Sequence, residues 1–205
     1  MTAIIDYDAG NIASVQKALH YLGDEAVLTS DPAEIERADR IILPGVGAFG
    51  DAMKSLRERE LVGPIREACS GGTPFLGICV GLQLMFDESE ESPGVPGLGL
   101  LRGKIVRFPD TPGLKVPHMG WNSLSVRPGA KLFAGLQENP YVYFVHSYYL
   151  KSDDPSAVAA TADYGVTFDA SVEKGNLFGC QFHPEKSSVT GLRILKNFLG
   201  LRRGS

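Results

Sequence analysis

Cysteine is scarce in this chain. The three present, at positions 69, 79 and 180 of 205, are odd in number and form no close pair. That excludes a disulfide framework and zinc-finger spacing, and it fits a reducing compartment, the cytoplasm. Long hydrophobic runs are missing as well. No segment approaches the ~20 apolar residues that a membrane-spanning helix needs. Asp6 and Asp8 also interrupt the stretch where a secretory signal has an unbroken apolar core. Charge of one sign is absent too: 20 basic and 24 acidic residues give a formal net charge of −4, and only Arg202 and Arg203 make a locally basic spot. A surface that tracks phosphates is not expected, and neither is a nucleic-acid partner. The four histidines have no ligand-like spacing, so no metal site is predicted. With no repeat, low-complexity segment or linker, residues 1–205 read as one domain.

What is present alternates. Ala3-Ile4-Ile5 reads as a buried strand. After Gly10-Asn11, Ile12, Val15, Leu19 and Leu22 fall on one helical face that Gly23 ends. Ala26 to Thr29 gives a second strand. Asp31-Pro32-Ala33-Glu34 then combines a cap, a first-turn proline and an N3 glutamate at a helix start. Arg40 to Leu43 and Pro74 to Ile78 are further strands, separated by helical patterns through Met53, Leu56 and Ile65. Strands alternating with helices predict an α/β fold with a mostly parallel central sheet. Beyond Ser89 the pattern turns β-like at Lys104 to Phe108, Leu124 to Val126, Tyr141 to Leu150 and Ala157 to Thr161, with a hairpin signal at Glu173-Lys174-Gly175-Asn176. The last helix presents Leu192, Leu195, Phe198 and Leu199.

One stretch carries chemistry. Thr73 to Ile78 is an apolar strand that runs through Gly77-Ile78-Cys79-Val80-Gly81 into the helical pattern Leu82, Met85, Phe86. This is a nucleophile elbow with cysteine in place of serine. Gly77 and Gly81 leave room for a sharp turn, and the helix start favours a thiolate and offers the Val80 amide to an oxyanion. An arbitrary free cysteine fills core, which remains the reading for Cys69 and Cys180. The second piece is His183-Pro184-Glu185. In an extended chain, residues two apart share a face, and Pro184 disfavours helix at His183. Glu185 can then orient the imidazole while its other nitrogen takes the thiol proton. Alone, His-Pro-Glu is a common turn; together with the elbow it completes an acyl-transfer set. This requires the sulfur of Cys79 and the ring of His183 to meet across about a hundred residues. Pro44-Gly45-Val46-Gly47, after a strand, is a third element at the same sheet edge, and it lacks the Lys-Ser/Thr ending of a phosphate loop. His20 reads as a surface residue, and His118 and His146, in aromatic-rich segments, as structural or binding residues.

These residues resemble the class I glutamine amidotransferases through Gly77 to Gly81, Gln83 and His183-Pro184-Glu185. Within that family they resemble the glutaminase subunits of imidazole glycerol phosphate synthases. The narrower match rests on Ile4-Ile5-Asp6-Tyr7 with Gly10-Asn11, Pro44 to Phe49, Pro117 to Asn122, Tyr143 to Tyr148, and Lys186-Ser187. Val80 and the Asp8-Ala9 pair are small variations. The resemblance implies a three-layer sandwich, with Cys79 as nucleophile, His183 as acid and base, and Glu185 orienting it. It implies Val80 and the Gly45-Val46 peptide as oxyanion donors, Gly47, Gln83, Ser147 and Tyr148 as contacts to glutamine, and Asn11, Trp121, Tyr143 and Lys186 near a partner interface. The implied partner is a (β/α)8-barrel cyclase forming a heterodimer, with no cofactor required. Free ammonia becomes unreactive ammonium in neutral water, so an enclosed path into a partner is expected, as is low glutaminase activity without one. The other readings are a glutaminase for a different synthase, a γ-glutamyl hydrolase or cysteine peptidase with the same triad, and a regulatory module with a dead site.

Overall fold

The computed structural model describes residues 1–8 and 10–204; Ala9 of the Asp8-Ala9 pair lies outside the described residues. β1 (Thr2–Ile5) leads to α1 (Ile12–Tyr21), β2 (Val27–Thr29), α2 (Pro32–Arg37) and β3 (Arg40–Leu43). α3 (Phe49–Glu58), α4 (Val62–Ser70), β4 (Phe75–Ile78) and α5 (Val80–Leu84) follow. The second half is mostly strand: β5 (Glu88–Ser89), β6 (Gly103–Arg107), β7 (His118–Ser123), β8 (Ser125–Val126), β9 (Tyr141–His146), β10 (Tyr148–Ser152), β11 (Val158–Asp163), β12 (Thr167–Lys174) and β13 (Leu177–Cys180). α6 (Ser188–Leu199) closes the chain. The α2 start is the one its residues encode, with the Asp31 carboxylate accepting from the Ala33 amide at 2.9 Å and proline in the first turn.

The main sheet runs in the order β2-β1-β3-β4-β13-β12-β10-β6-β5, with β11 pairing β12 and β8. Its first five strands run parallel to one another, and β13 pairs antiparallel with β12 on its other side. β1, β3 and β4 are buried along their whole length, which is why they read as unbroken apolar runs rather than alternating ones. The step from β1 to β2 moves one way across the sheet and the step from β3 to β4 the other. Right-handed crossovers therefore put their helices on opposite faces, giving three layers. The order reverses between β1 and β3, and the cleft opens beside that point, beyond the carboxyl ends of β3, β4 and β13, where Val46, Cys79 and His183 line it. The hairpin of β12 and β13 turns at Gly175-Asn176, with Gly175 at φ 61°.

Three sequence expectations are revised. Pro117 to Asn122 carried no strand assignment, yet His118–Ser123 is β7, paired with β9 in a separate two-stranded ribbon. Glycine at 120 and polar residues at 118 and 122 hide the alternation there. The run Tyr141 to Leu150 is two strands, because the chain leaves the ribbon at Ser147 and joins the main sheet as β10. In α6 the buried positions include Ile194, while Leu192 and Leu199 are only partly covered. No helix among the described residues is long and apolar enough to cross a membrane.

Candidate active site

Cys79 stands between β4 and α5 at φ 55°, ψ −111°, a left-handed conformation that non-glycine residues adopt only under constraint from their surroundings. Its two flanking glycines supply that constraint. A Cβ on Gly81 would lie 1.8 Å from the Leu43 carbonyl oxygen, and one on Gly77 would lie 2.6 Å from the Gly81 oxygen. β3, β4 and the start of α5 thus pack backbone to backbone, and the thiol side of the turn is forced toward the cleft. The Cys79 amide donates to the Cys180 carbonyl at 2.8 Å, which ties the turn to β13.

His183 follows β13 and is 2% exposed. Its Nδ1 lies 2.8 Å from Glu185 Oε1, and the Glu185 side chain is fully buried. The segment differs from the extended reading: His183 is extended, but Pro184–Lys186 is a 3₁₀ turn. The turn, rather than strand alternation, brings the carboxylate back beneath the ring. The same Oε1 accepts from Asn11 Nδ2 at 2.7 Å, so Asn11 reaches inward to the acid. Burial depresses the His183 pKa, but the hydrogen bonds and charges of Cys79 and Glu185 outweigh it and push the value up to about 9. Nε2 is buried without an aligned hydrogen-bond partner, and Cys79 is the opposing group that acts on the ring most strongly. Sulfur and imidazole therefore share one site, as the sequence required, with Nε2 left for the proton transfer.

Backbone bonds fix the base further. The His183 amide donates to the Tyr143 carbonyl at 2.9 Å. The buried Ser187 hydroxyl accepts from the Tyr143 amide at 3.0 Å and donates to the His183 carbonyl at 2.6 Å. β9 and the His183 turn are thereby clasped together.

A cleft of about 420 Å3 opens over these groups, and Val46, Gly47, Val80, Gln83, Ser147 and Tyr148 line it with Cys79 and His183. Gly47, Gln83, Ser147 and Tyr148, which the resemblance implied as contacts to glutamine, all line this one cleft. Val80 is the first residue of α5, where an amide N–H has no intrahelical acceptor. Gly45 lies underneath, so tightly packed that a Cβ there would be 2.6 Å from the Tyr7 hydroxyl and 3.0 Å from the Gly81 nitrogen. Trp121 and Tyr143 face each other on the outer side of the ribbon, ring centres 6.1 Å apart, with Trp121 and neighbouring Met119 exposed. Lys186 is exposed at the end of the 3₁₀ turn.

Three further residues belong to the site. Gln181, fully buried, points Nε2 at the Cys79 sulfur at 3.6 Å and accepts from Gln83 Nε2 at 3.0 Å. Gln83 Nε2 also donates to the Tyr148 carbonyl at 3.2 Å. A carbonyl only accepts, so both amide orientations are set, and Gln83 has Oε1 left to offer a substrate. Gln181 and His183 both lie just past the end of β13, so strand alternation gave no signal for Gln181. Glu91 lines the cleft as a carboxylate while its Oε2 caps α3 by accepting from the Phe49 amide at 2.7 Å. Tyr7 is buried and donates to the Pro44 carbonyl at 2.8 Å; burial, with the nearby Cys79 adding to it, holds its phenol well above the ordinary value. Among the described residues no group of three or more His, Cys, Asp or Glu side chains converges as a metal ion would require.

The site has counterparts. A sequence profile described as "Glutamine amidotransferase class-I" matches residues 3–200. A protein of Thermosynechococcus vestitus called "Imidazole glycerol phosphate synthase subunit HisH" is 54% identical over 201 residues, covering 97% of this chain and 96% of the relative. One of the same name from Moorella thermoacetica is 55% identical over 197 residues, covering 96% and 92%. Among solved structures, a glutamine amidotransferase superposes with a TM-score of 0.75 at 22% identity, covering 96% of both chains. Another, from Thermotoga maritima, gives 0.64 at 17% identity, covering 97% of this chain and 81% of that one. These two bear on the fold alone.

Proposed function

Since the chain belongs to the class I glutamine amidotransferases, we propose that it is the glutaminase subunit of an imidazole glycerol phosphate synthase. In this role it hydrolyses glutamine to glutamate and ammonia and hands the ammonia to a barrel-shaped cyclase subunit. The observation that carries the reading is His183, buried between the Glu185 carboxylate at 2.8 Å and the side of the cleft occupied by Cys79. The Cys79 sulfur attacks the γ-carboxamide carbon of glutamine. The oxyanion is met by the Val80 amide and the Gly45-Val46 peptide, and His183 gives its proton to the departing nitrogen. The thioester that remains is opened by water, from which His183 takes a proton, and glutamate leaves. Glu185 holds the ring in one tautomer throughout. Gln83 Oε1 and the Glu91 carboxylate offer acceptors to the α-ammonium, and Ser147 and Tyr148 form the opposite wall.

The outer face of the ribbon, with exposed Met119 and Trp121 beside half-buried Tyr143, suits an apolar docking partner. Tyr143 is clasped to the His183 segment through its own backbone, so a partner resting on this face bears directly on the base. Low turnover without the partner is the expected consequence. The cyclase then uses the ammonia to form imidazole glycerol phosphate and an aminoimidazole carboxamide ribonucleotide. The test is to mix the chain with such a cyclase and its ribonucleotide substrate and measure product with glutamine or with ammonia. Cys79→Ser should abolish the glutamine-dependent reaction and leave the ammonia-dependent one intact. Glutamine-dependent product that survives Cys79→Ser would refute the assignment. A peptidase or γ-glutamyl hydrolase would show no ammonia route.

A further inference from the structure

The mechanism leaves two buried histidines unused, His118 on β7 and His146 on β9, register partners in the ribbon that are 3% and 6% exposed. They form an unbroken chain of hydrogen bonds. Asn122 Nδ2 lies 3.3 Å from His118 Nε2, His118 Nδ1 lies 2.9 Å from His146 Nε2, and His146 Nδ1 lies 2.8 Å from the Tyr148 carbonyl oxygen. The last link dictates all the others. A carbonyl can only accept, so His146 carries its proton on Nδ1 and presents a lone pair at Nε2. His118 must then also carry its proton on Nδ1, and its Nε2 accepts from Asn122. Asn122 Nδ2 is fixed in turn by the Asp163 carbonyl at 2.9 Å.

The chain works only with both rings neutral, because a second proton on either would set one N–H against another. The surroundings enforce neutrality. Phe108, Phe144, Tyr164 and Phe168 surround the pair. Burial drives the pKa of His118 down to about 4 and that of His146 to about 3, the latter also disfavoured by the charges of His118 and His183.

The chain ends at the wall of the cleft. The Tyr148 carbonyl is held from both sides, by His146 Nδ1 and by Gln83 Nε2 at 3.2 Å, and the preceding Ser147 carbonyl accepts from the Phe108 amide at 3.1 Å. Gln83 continues through Gln181 to the Cys79 sulfur. We infer that His118 and His146 are positioning residues that set the Ser147-Tyr148 wall and, through the Tyr148 carbonyl, the Gln83 amide against which the glutamine substrate lies. This rests on the glutaminase reading and adds to it a determinant of substrate affinity built into the cleft wall, where His146 is a lining residue only 6% exposed and His118 stands behind it.

The experiment has two arms. In the synthase complex, His146→Leu removes the donor to Tyr148. It is expected to raise the KM for glutamine roughly ten-fold, the effect of one lost hydrogen bond to the wall, with kcat within about three-fold. His146→Asn places an amide donor where Nδ1 was and should restore most of the affinity. A folded His146→Leu protein that still binds the cyclase and keeps the wild-type KM would overturn the inference. The second arm needs no variant. Imidazole 15N spectra of the wild-type protein at pH 6 should show both rings neutral with the proton on Nδ1, and a proton on Nε2 of either ring would overturn the inference equally. Wild-type turnover of glutamine in the same assay checks the underlying reading: if it is absent, both fall, whereas an unchanged KM in an active enzyme sinks the inference alone.

Discussion

Replacing Glu185 with glutamine would isolate charge from shape. Glu185 Oε1 accepts both from Asn11 at 2.7 Å and from His183 at 2.8 Å, while Oε2 is buried without a partner. A glutamine oxygen in the Oε1 position keeps both bonds, so the ring stays in place and only the negative charge goes. The rise in the His183 pKa from 6.5 to about 9 corresponds, at about 1.4 kcal/mol per unit, to about 3 kcal/mol in favour of the imidazolium. Cys79 and Glu185 supply it against burial. Without the carboxylate, His183 should hold a proton opposite the sulfur far less well, and kcat for glutamine in the complex should fall on the order of 100-fold. KM should stay within about three-fold, because the variant leaves the cleft wall alone.

The same shift appears in stability. A histidine whose pKa is raised by folding contributes stability in full below its unfolded value of 6.5, and that contribution disappears as pH climbs through about 9. Wild-type protein should therefore lose stability between pH 6.5 and 9, and Glu185→Gln should lose less. The assays are the pH dependence of kcat and urea unfolding at both pH values. A variant with kcat within three-fold of wild type, or with the same loss of stability over that window, would refute the reasoning.

Asn11→Leu should act on the triad: kcat falls roughly ten-fold, as for loss of one hydrogen bond to a charged group, while partner affinity measured by titration calorimetry changes little. The opposite pattern would make Asn11 a docking residue only. His118 and His146 give an acid-side signature. Their folded pKa values, about 4 and about 3, lie below the unfolded 6.5, so stability is whole above pH 6.5 and declines as the medium is acidified. Each contributes a slope of up to about 1.4 kcal/mol per pH unit, and urea midpoints at pH 7, 6 and 5 should converge in a His118→Asn, His146→Asn double variant.

The sequence was most readable where backbone demands are strict. Gly77 and Gly81 mark the elbow because any Cβ there collides with backbone, and β1, β3 and β4 stand out because both their faces are covered. The pairing of Cys79 with His183 was legible from motif chemistry. Hidden from it was whatever depends on contacts between distant segments. Gln181 reads as one more strand residue until Gln83, about a hundred positions earlier in the chain, is placed beside it. Asn11, a helix-start residue with no capping bond of its own, reaches Glu185 only once β1 and the end of β13 lie at one sheet edge. Strand β7 was invisible because Gly120 and the polar residues at 118 and 122 replace the apolar half of its alternation. Those two polar residues, buried His118 and half-buried Asn122, satisfy one another.

The bend at Ser147 leaves no slack between two hydrogen-bonded strands, one anchored in the ribbon and the other in the main sheet. This jaw of the cleft is tied at both ends, to the ribbon on one side and to the main sheet on the other. The opposing jaw is built from glycines, with Gly47 at φ 93° and Val46 exposed beside it. Substrate entry must then be admitted by the glycine side while the Ser147 side serves as the anvil, so a stiffening substitution at Gly47 and a loosening one behind Tyr148 would impair the enzyme from opposite directions.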